Sequence, residues 1–361
     1  MAVLMLCALC VPAMAAEPDY LCLTSTGNTT IAFESFPSSP DYKLEYSINN
    51  GSWEQATGDT EIPLRNGESV RFKANGTPET INNWQSVQFK MSGKGTVAAS
   101  GSVMSLLSGD ECFACCFAQL FFGCTNLTTA PKLPATTMAY QCYSYMFAGC
   151  TGLTTAPELP ATTMATYCYD SMFAGCTGLT TAPALPATAL ASDCYKAMFF
   201  GCTGITTAPA LPATTLAEWC YSGMFAGCSR LKTAPALPAT TPAEGCYSGM
   251  FFDCTSLKIT ANKPTGCHYS EIYVPDTGCC DMMFAGVPGA PALSSGKTYY
   301  NPHVSGYKDG KCIDCGMSAT GTGSTLSEGS MTVVVGVAAF AVGMAVMFFI
   351  MKKKKTAESN S

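Results

Sequence analysis

Charged residues and histidines are scarce in this 361-residue sequence. Charged side chains make up 12% of the residues, and the formal net charge is −6 at pH 7. The two histidines, His268 and His303, adjoin no recognisable nucleophile motif. Without a base paired to a nucleophile, the sequence predicts no enzyme, no catalytic residue, no metal site and no cofactor. The lack of a basic patch argues against nucleic acid as a partner.

The few lysines are unevenly placed, because four of them stand together at 352–355. They follow an uncharged run, 331–351, that is long enough to cross a bilayer as a helix. A basic cluster beside a spanning helix is held on the cytoplasmic side. We therefore predict one transmembrane helix at 331–351, a cytoplasmic tail at 352–361 and a single-pass type I cell-surface protein with an extracellular N-terminal body. Polar residues after the run disfavour a GPI anchor.

The first 16 residues are mostly apolar and contain Ala13-Met14-Ala15, which is typical of a cleavage site for secretion. We predict a signal peptide at 1–16, with a short buried hydrophobic segment as the alternative. Two of the 22 cysteines lie in that segment, so 22 − 2 = 20 remain in the part predicted to face an oxidising environment. Disulfides are permitted there.

A 26-residue repeat occurs six times without insertion between residues 116 and 257. Its first cysteine column is Cys116, Cys142, Cys168, Cys194, Cys220 and Cys246, and its second is Cys124, Cys150, Cys176, Cys202, Cys228 and Cys254. A fixed period of this length predicts a stacked array. An eroded seventh start at Cys279, with Val287 where the second cysteine would stand, is typical of a terminal capping unit.

Each repeat divides into two predicted elements. In 142–147, apolar pairs four residues apart predict a short helical turn with one face inward. In 153–156, two threonines between apolar residues predict a short parallel strand, which the absent N–H of Pro157 keeps short. We therefore predict an α/β repeat solenoid, leucine-rich-repeat-like, over residues 109–258.

The flanking regions do not repeat. Residues 17–108 contain KLEYSI at 43–48, Asn50-Gly51 and two further strand-like runs, SVRFKA at 69–74 and SVQFKM at 86–91, which predict a small antiparallel β domain. Residues 259–316 are interpreted as a cysteine-containing cap and membrane-proximal module. The Gly/Ser/Thr-rich residues 317–330 are interpreted as a stalk.

The order C-T-x-L-T-T-A-P-x-L-P, followed by M-F-x-G, is similar to the BspA-like, treponemal-type leucine-rich-repeat surface proteins over about residues 112–287. The resemblance implies a curved solenoid with a parallel sheet on one face, and cell-surface attachment or ligand binding. It transfers no catalytic residue. Two features depart from the family pattern: the repeat is longer than the common one, and Pro157 stands inside the usual strand.

The two cysteine columns leave two interpretations open. In the first interpretation, the two cysteines of each copy, such as Cys142 and Cys150, form a disulfide, and the presence of both cysteines in all six copies favours this. Alternatively, the cysteines are small apolar fillers of the core, which Val287 in the eroded copy favours. The Cys-x-x-Cys pairs at 112–115 and 312–315 have zinc-knuckle spacing but stand 200 residues apart, so local disulfides or buried thiols are favoured over metal.

The double threonines of consecutive repeats are the candidate ligand face. They are Thr154, Thr155, Thr180, Thr181, Thr206 and Thr207. In one interpretation, these rows of hydroxyls bind a neutral extracellular glycan or protein. In the other, threonine occurs there only because of its β propensity. The repeated tyrosines, from Tyr143 to Tyr247, form either a stacking platform for sugars or a packed edge. The candidate glycosylation sequons begin at Asn28, Asn50, Asn75 and Asn126.

The sequence is therefore compatible with two functions. The chain is either a surface adhesin or recognition protein that binds through its repeats, or a structural spacer that displays an N-terminal β domain carrying the binding residues.

Overall fold

The computed structural model describes residues 19–35, 42–75, 87–107, 109, 111–239, 241–264, 269–303, 307–308 and 311–312. The predicted signal peptide, stalk, transmembrane run 331–351 and cytoplasmic tail lie outside these residues. Within the described ranges, no helix has the length and apolar character needed to cross a membrane.

The N-terminal region consists of short antiparallel strands. Its strands are β1 Leu21–Ser25, β2 Thr29–Ser35, β3 Lys43–Ile48, β4 Glu54–Gln55, β5 Ile62–Leu64, β6 Ser69–Asn75, β7 Gln88–Gly93 and β8 Val97–Ser100. The predicted hairpin is present as β3 and β4, and the two other predicted strands are present as β6 and β7. The strands alternate buried and less buried residues because each sheet packs one face inward.

Two sheets pack face to face in this region. One has the order β4-β3-β6-β1-β8-β9, where β9 is Leu127–Thr129 of the first repeat, and the other has the order β5-β2-β7. Between them, the ring of Phe72 lies 6.4 Å from that of Phe33 and 5.0 Å from that of Phe89. Because β9 pairs in parallel with β8, the first repeat extends a sheet of the β domain.

The segment predicted as a helical turn is a series of tight turns. In 139–150 and its equivalents, here called the turn wall, alternate N–H groups bond three residues back, as Ser144 does to Gln141 at 3.2 Å. The intervening N–H groups bond to the next repeat, as Tyr143 does to Cys168 at 3.0 Å. An α-helix would direct its N–H groups to its own carbonyls four residues back and leave its neighbours unbonded. The predicted α/β solenoid is therefore wrong, since the described residues contain no α-helix.

A four-residue rhythm explains why the turn wall resembles a helix in sequence. Gln141, Tyr145 and Gly149 have φ of 52°, 56° and 78° and are half-buried, whereas the residues between them are buried. The chain thus repeats its conformation every four residues, close to the 3.6-residue period of a helix. Buried pairs four residues apart fit both structures.

The predicted parallel strands are mostly absent from the described repeats. The first copy forms β9, but later copies are joined by isolated bridges such as Thr129–Thr155 and Thr207–Thr233. Pro157 and its equivalents have no N–H to donate, so the ladder is interrupted in each copy. The sheets that the structure describes are small and antiparallel or mixed, and a regular parallel sheet along the repeats is also a wrong prediction.

Columns of stacked rings show how the repeats pack. Ring centroids in the phenylalanine column from Phe121 to Phe251 lie 5.6 to 5.9 Å apart between neighbouring copies. Phe89 of the β domain extends this column at one end, 5.4 Å from Phe121, and Phe284 extends it at the other, 6.2 Å from Phe251. The β domain, the repeats and the C-terminal module therefore share one hydrophobic core.

The C-terminal module closes the other end of the stack. Its strands are β10 Tyr269–Val274, β11 Lys297–Pro302, β12 Tyr307–Lys308 and β13 Lys311–Cys312, and a 3-10 turn spans Thr277–Cys280. The eroded seventh copy stacks on the sixth, because the N–H of Tyr247 bonds to the carbonyl of Cys279 at 2.9 Å. The hairpin of β10 and β11 adds a parallel bridge between Leu237 and Ile272.

Asn301 fixes this module to the last repeats. Its side chain is fully buried; the oxygen accepts from the N–H of Ala234 at 2.8 Å, and the nitrogen donates to the carbonyls of Lys232 at 3.0 Å and Lys258 at 2.9 Å. Asn301→Ala should lower the free energy of unfolding by about 3 kcal/mol, because buried backbone groups lose their partners. Urea denaturation measures this, with the exposed Asn262→Ala as control. Equal midpoints for the two variants would contradict the assigned role.

Candidate functional site

The candidate ligand face lies on one side of the stack. Thr154, Thr155, Thr180, Thr181 and Thr207 are exposed and Thr206 is half-buried. We call this surface the first threonine wall. The structure brings these residues together in consecutive copies, although bridges join only some of the copies. The wall therefore presents hydroxyl groups at the repeat period without the regular strand spacing expected from the sequence.

The first copy differs from the rest of this wall. The hydroxyl of Thr128 donates to the carbonyl of Val97 at 3.1 Å, and that of Thr129 donates to the carbonyl of Ala99 at 3.0 Å. These hydroxyls thus hydrogen-bond to the backbone of β8 and link the first repeat to the β domain. The face that is available to a partner begins at Thr154.

A second row of exposed hydroxyls was missed by the sequence reasoning. Its members are Thr136, Thr137, Thr162, Thr163, Thr188, Thr214, Thr215 and Thr241. Parallel bridges join Thr137 to Thr163 and Thr215 to Thr241. We call this surface the second threonine wall. Ala-Thr-Thr follows Leu-Pro in four of the five copies, and Ala189 replaces the second threonine in the other, so the sequence carried this information.

The twelve column cysteines are buried thiols, with exposed fractions between 0 and 8%. In the second column, the thiols donate to phenylalanine carbonyls of the preceding repeat, as Cys150 does to Phe121 at 3.0 Å. In the first column, Cys142 lies 3.5 Å from the sulfur of Met138. No disulfide joins any cysteines of the described part of the chain. Burial raises the pKa of the Cys176 thiol to about 12, so this thiol is a poor nucleophile.

The repeated tyrosines form a buried column. Ring centroids from Tyr143 to Tyr247 lie 5.7 to 6.0 Å apart between copies, and each side chain is at most 1% exposed. Both ring faces are covered inside the stack. These tyrosines accordingly contribute to packing and offer no platform to a sugar.

A cluster of charged residues interrupts the neutral turn wall. Asp170 and Lys196 occupy a position that holds serine in other copies, such as Ser144. The amine of Lys196 lies 2.9 Å from a carboxylate oxygen of Asp193 and 5.7 Å from the ring centre of Tyr167. We call Asp170, Asp193, Lys196 and Tyr167 the ridge cluster. Sequence reasoning missed it, although two charges in a serine column were a visible sign.

Burial sets the protonation of the ridge cluster. It raises the pKa of Asp170 to about 7, against the opposing effects of Lys196 and of a hydrogen bond from Ser171 at 3.0 Å. Burial, with Asp193 next, raises the pKa of Tyr167 to about 12. The Asp170 carboxyl therefore ionises close to neutral pH. Because burial disfavours the charged form, ionisation of Asp170 destabilises the folded turn wall.

The predicted sequons differ in their surroundings. Asn28 and Asn50 are exposed on turns of the β domain, and Asn75 ends β6. The side-chain nitrogen of Asn126, the atom that would carry a glycan, donates to the carbonyls of Gly93 at 3.2 Å and Gly95 at 2.8 Å. A glycan at Asn126 would replace contacts between the first repeat and the β domain.

The zinc-knuckle spacing at 112–115 does not bring its two thiols to one centre. Cys112 hydrogen-bonds with Cys116, Cys142 and Tyr143, while the thiol of Cys115 donates to the side chain of Gln141 at 3.5 Å. Across the described residues, no group of three or more His, Cys, Asp or Glu side chains is arranged to hold a metal ion. Cys315 of the second pair lies outside those residues.

Comparison of the chain with protein-family models, with curated proteins and with solved structures finds no match. The resemblance to BspA-like repeats therefore stays a prediction that rests on the repeat motif alone.

Proposed function

We propose that this chain is a cell-surface recognition protein that mediates adhesion or ligand binding through its repeats. The observation that supports this is the first threonine wall, where exposed hydroxyls recur in consecutive copies of a neutral stack. The proposed partner is an extracellular glycan or an extended peptide. Hydroxyls donate and accept hydrogen bonds without the desolvation cost of a charge, which suits such a partner.

Affinity on such a face comes from many weak contacts. A hydrogen bond contributes about 1 kcal/mol, so several copies must act together. Stacking provides that arrangement, because the shared core holds neighbouring copies in a fixed register. Multiple molecules on one surface would add avidity without new contacts.

Replacing the six threonines of the first wall by valine should reduce binding to a glycan array at least tenfold. Valine keeps the β-branched shape and removes the hydroxyls. The matched control replaces six threonines of the second wall, Thr136, Thr137, Thr162, Thr163, Thr214 and Thr215, by valine. An equal loss in both variants, or no loss in a folded first-wall variant, would contradict the proposal.

The alternative function places the binding residues on the β domain. It is favoured by an aromatic and cationic cluster on the six-stranded sheet, where the Lys73 amine lies 4.4 Å from the ring centre of Trp53 and the Tyr20 ring lies 5.0 Å from it. Trp53→Ala tests this function without removing the domain. Loss of array binding in Trp53→Ala, with the first-wall variant unaffected, would support the spacer role.

A further inference from the structure

Three thiols meet where the first cysteine column ends. Cys279 of the seventh copy follows Cys246 in the first cysteine column, because the N–H of Tyr247 bonds to the Cys279 carbonyl at 2.9 Å. Its sulfur lies 3.1 Å from that of Cys280 and hydrogen-bonds with that of Cys246. Cys246, Cys279 and Cys280 are all buried. We call them the terminal thiol cluster.

Thiols inside the stack have backbone carbonyls or a methionine sulfur as partners. In the second column, thiols donate to backbone carbonyls, as Cys254 does to Phe225 at 3.0 Å. In the first column, Cys168 lies 3.5 Å from the sulfur of Met164. The Cys279 thiol also donates to a carbonyl, that of Asp276 at 2.8 Å, but it has other thiols beside it as well. A thiol beside another thiol can form a disulfide with it.

Geometry distinguishes the two pairs that Cys279 can form. A disulfide usually joins residues whose Cα atoms are about 4.4 to 6.8 Å apart, whereas neighbours across a trans peptide are about 3.8 Å apart. Cys279 and Cys280 are therefore too close for an unstrained bond. Cys246 and Cys279 occupy equivalent positions of neighbouring copies, beside the bond from the Tyr247 N–H to the Cys279 carbonyl. Chain segments joined by such bonds lie about 5 Å apart, a spacing that suits a disulfide.

We propose that Cys246 and Cys279 form a disulfide that fastens the C-terminal module to the last full repeat. The oxidant is a low-mass disulfide such as oxidised glutathione. Hydrogen bonds from Cys246 and then Cys280 lower the pKa of Cys279 well below its usual value, which provides the attacking thiolate. Cys280 keeps its thiol.

The reaction is a two-step exchange. The Cys279 thiolate attacks one sulfur of glutathione disulfide, forms a mixed disulfide and expels one glutathione thiolate. Cys246 loses its proton to that thiolate and attacks the Cys279 sulfur, which expels the second glutathione. In total, two protein thiols lose two electrons and two protons, and one glutathione disulfide becomes two glutathione thiols. The new bond closes a loop of 279 − 246 = 33 residues.

Peptide mapping of the full chain tests this proposal. The protein is treated with oxidised glutathione, its remaining thiols are alkylated, and trypsin is added. Trypsin releases peptide 233–258, which carries Cys246 and Cys254, and peptide 259–297, which carries Cys267, Cys279 and Cys280, and fragmentation of the joined peptides identifies the bonded cysteines. We expect most molecules to contain these peptides joined through Cys246 and Cys279, with the mass of two hydrogens lost. A Cys279–Cys280 bond, or alkylation of all three thiols, would overturn the proposal.

Two serine variants give matched controls within the same peptide. Cys246→Ser should reduce the joined peptide at least tenfold, whereas Cys254→Ser should leave its yield unchanged, because Cys254 faces a carbonyl. The oxidised wild type should also melt at a higher temperature than its reduced form, and Cys246→Ser should show no such difference. A joined peptide that persists in Cys246→Ser would count against the assigned pair.

Discussion

Deletion of residues 168–193 should leave a soluble, cooperatively folding protein, whereas deletion of 168–180 should abolish folding. The first change removes one 26-residue period, so Cys194 follows Tyr167 and each column keeps its register. The inter-repeat bond from the Tyr143 N–H would then reach Cys194 in place of Cys168. Stability of a stacked array depends mainly on contacts between nearest neighbours, and these are restored.

The half-period deletion fails for reasons visible in the turn wall. Thr181 and Ala182 would take the buried positions of Cys168 and Tyr169 and leave the tyrosine column interrupted. Pro183 would take the place of Asp170, whose N–H bonds to the carbonyl of its own turn at 3.1 Å. Proline has no N–H for this bond. The loss of core volume and of the turn together exceeds what a domain of ordinary stability tolerates.

Soluble yield and a thermal melt followed by circular dichroism measure the difference. The 26-residue deletion should retain one cooperative transition, and the 13-residue deletion should be insoluble or melt without a transition. The β domain must be kept in both variants, since Phe89 caps the phenylalanine column at Phe121. If both deletions behaved alike, register between copies would not govern folding.

The period and the core of the repeats were readable from the sequence, because both depend on which side chains recur. The 26-residue period and the apolar pairs of 142–147 predict positions that face inward in each copy, and the structure buries them. The local conformation was not readable in the same way. Pairs such as Cys142 and Met146 are buried in a helix and in a series of four-residue turns alike, and the choice depends on hydrogen bonds to the next copy.

The candidate site was predicted in part for a related reason. Exposure of Thr154 and Thr155 follows from their apolar neighbours, whereas their strand pairing depended on a ladder that Pro157 interrupts. The second threonine wall carries the same residue pair, but no strand was predicted there. Asp170 and Lys196 of the ridge cluster were visible in the sequence as two charges in one column of consecutive repeats, whereas the burial that raises the pKa of Asp170 was not.

The Asp170 carboxyl should make the stability of the protein fall as pH rises from about 4 to 8. Burial raises the pKa of Asp170 from 3.8 to about 7 in the folded state. Below pH 3.8 the folded and unfolded chains are both protonated, so the contribution is fully present. As pH rises towards 7, the unfolded chain loses the proton first, and stability decreases until the folded state also ionises. A shift of about three units corresponds to roughly 4 kcal/mol at most.

Asp170→Asn removes this titration and keeps the shape of the side chain. The free energy of unfolding of Asp170→Asn, minus that of the wild type, should increase by several kcal/mol between pH 4 and pH 8, as measured by urea denaturation at each pH. Asp170→Ser, which introduces the serine found in other copies such as Ser144, should show the same pH dependence as Asp170→Asn. Glu158→Gln, at an exposed position of the stack, controls for the loss of one surface charge. A pH-independent difference between Asp170→Asn and the wild type would show that the carboxyl is already ionised in the folded protein, with Lys196 outweighing burial.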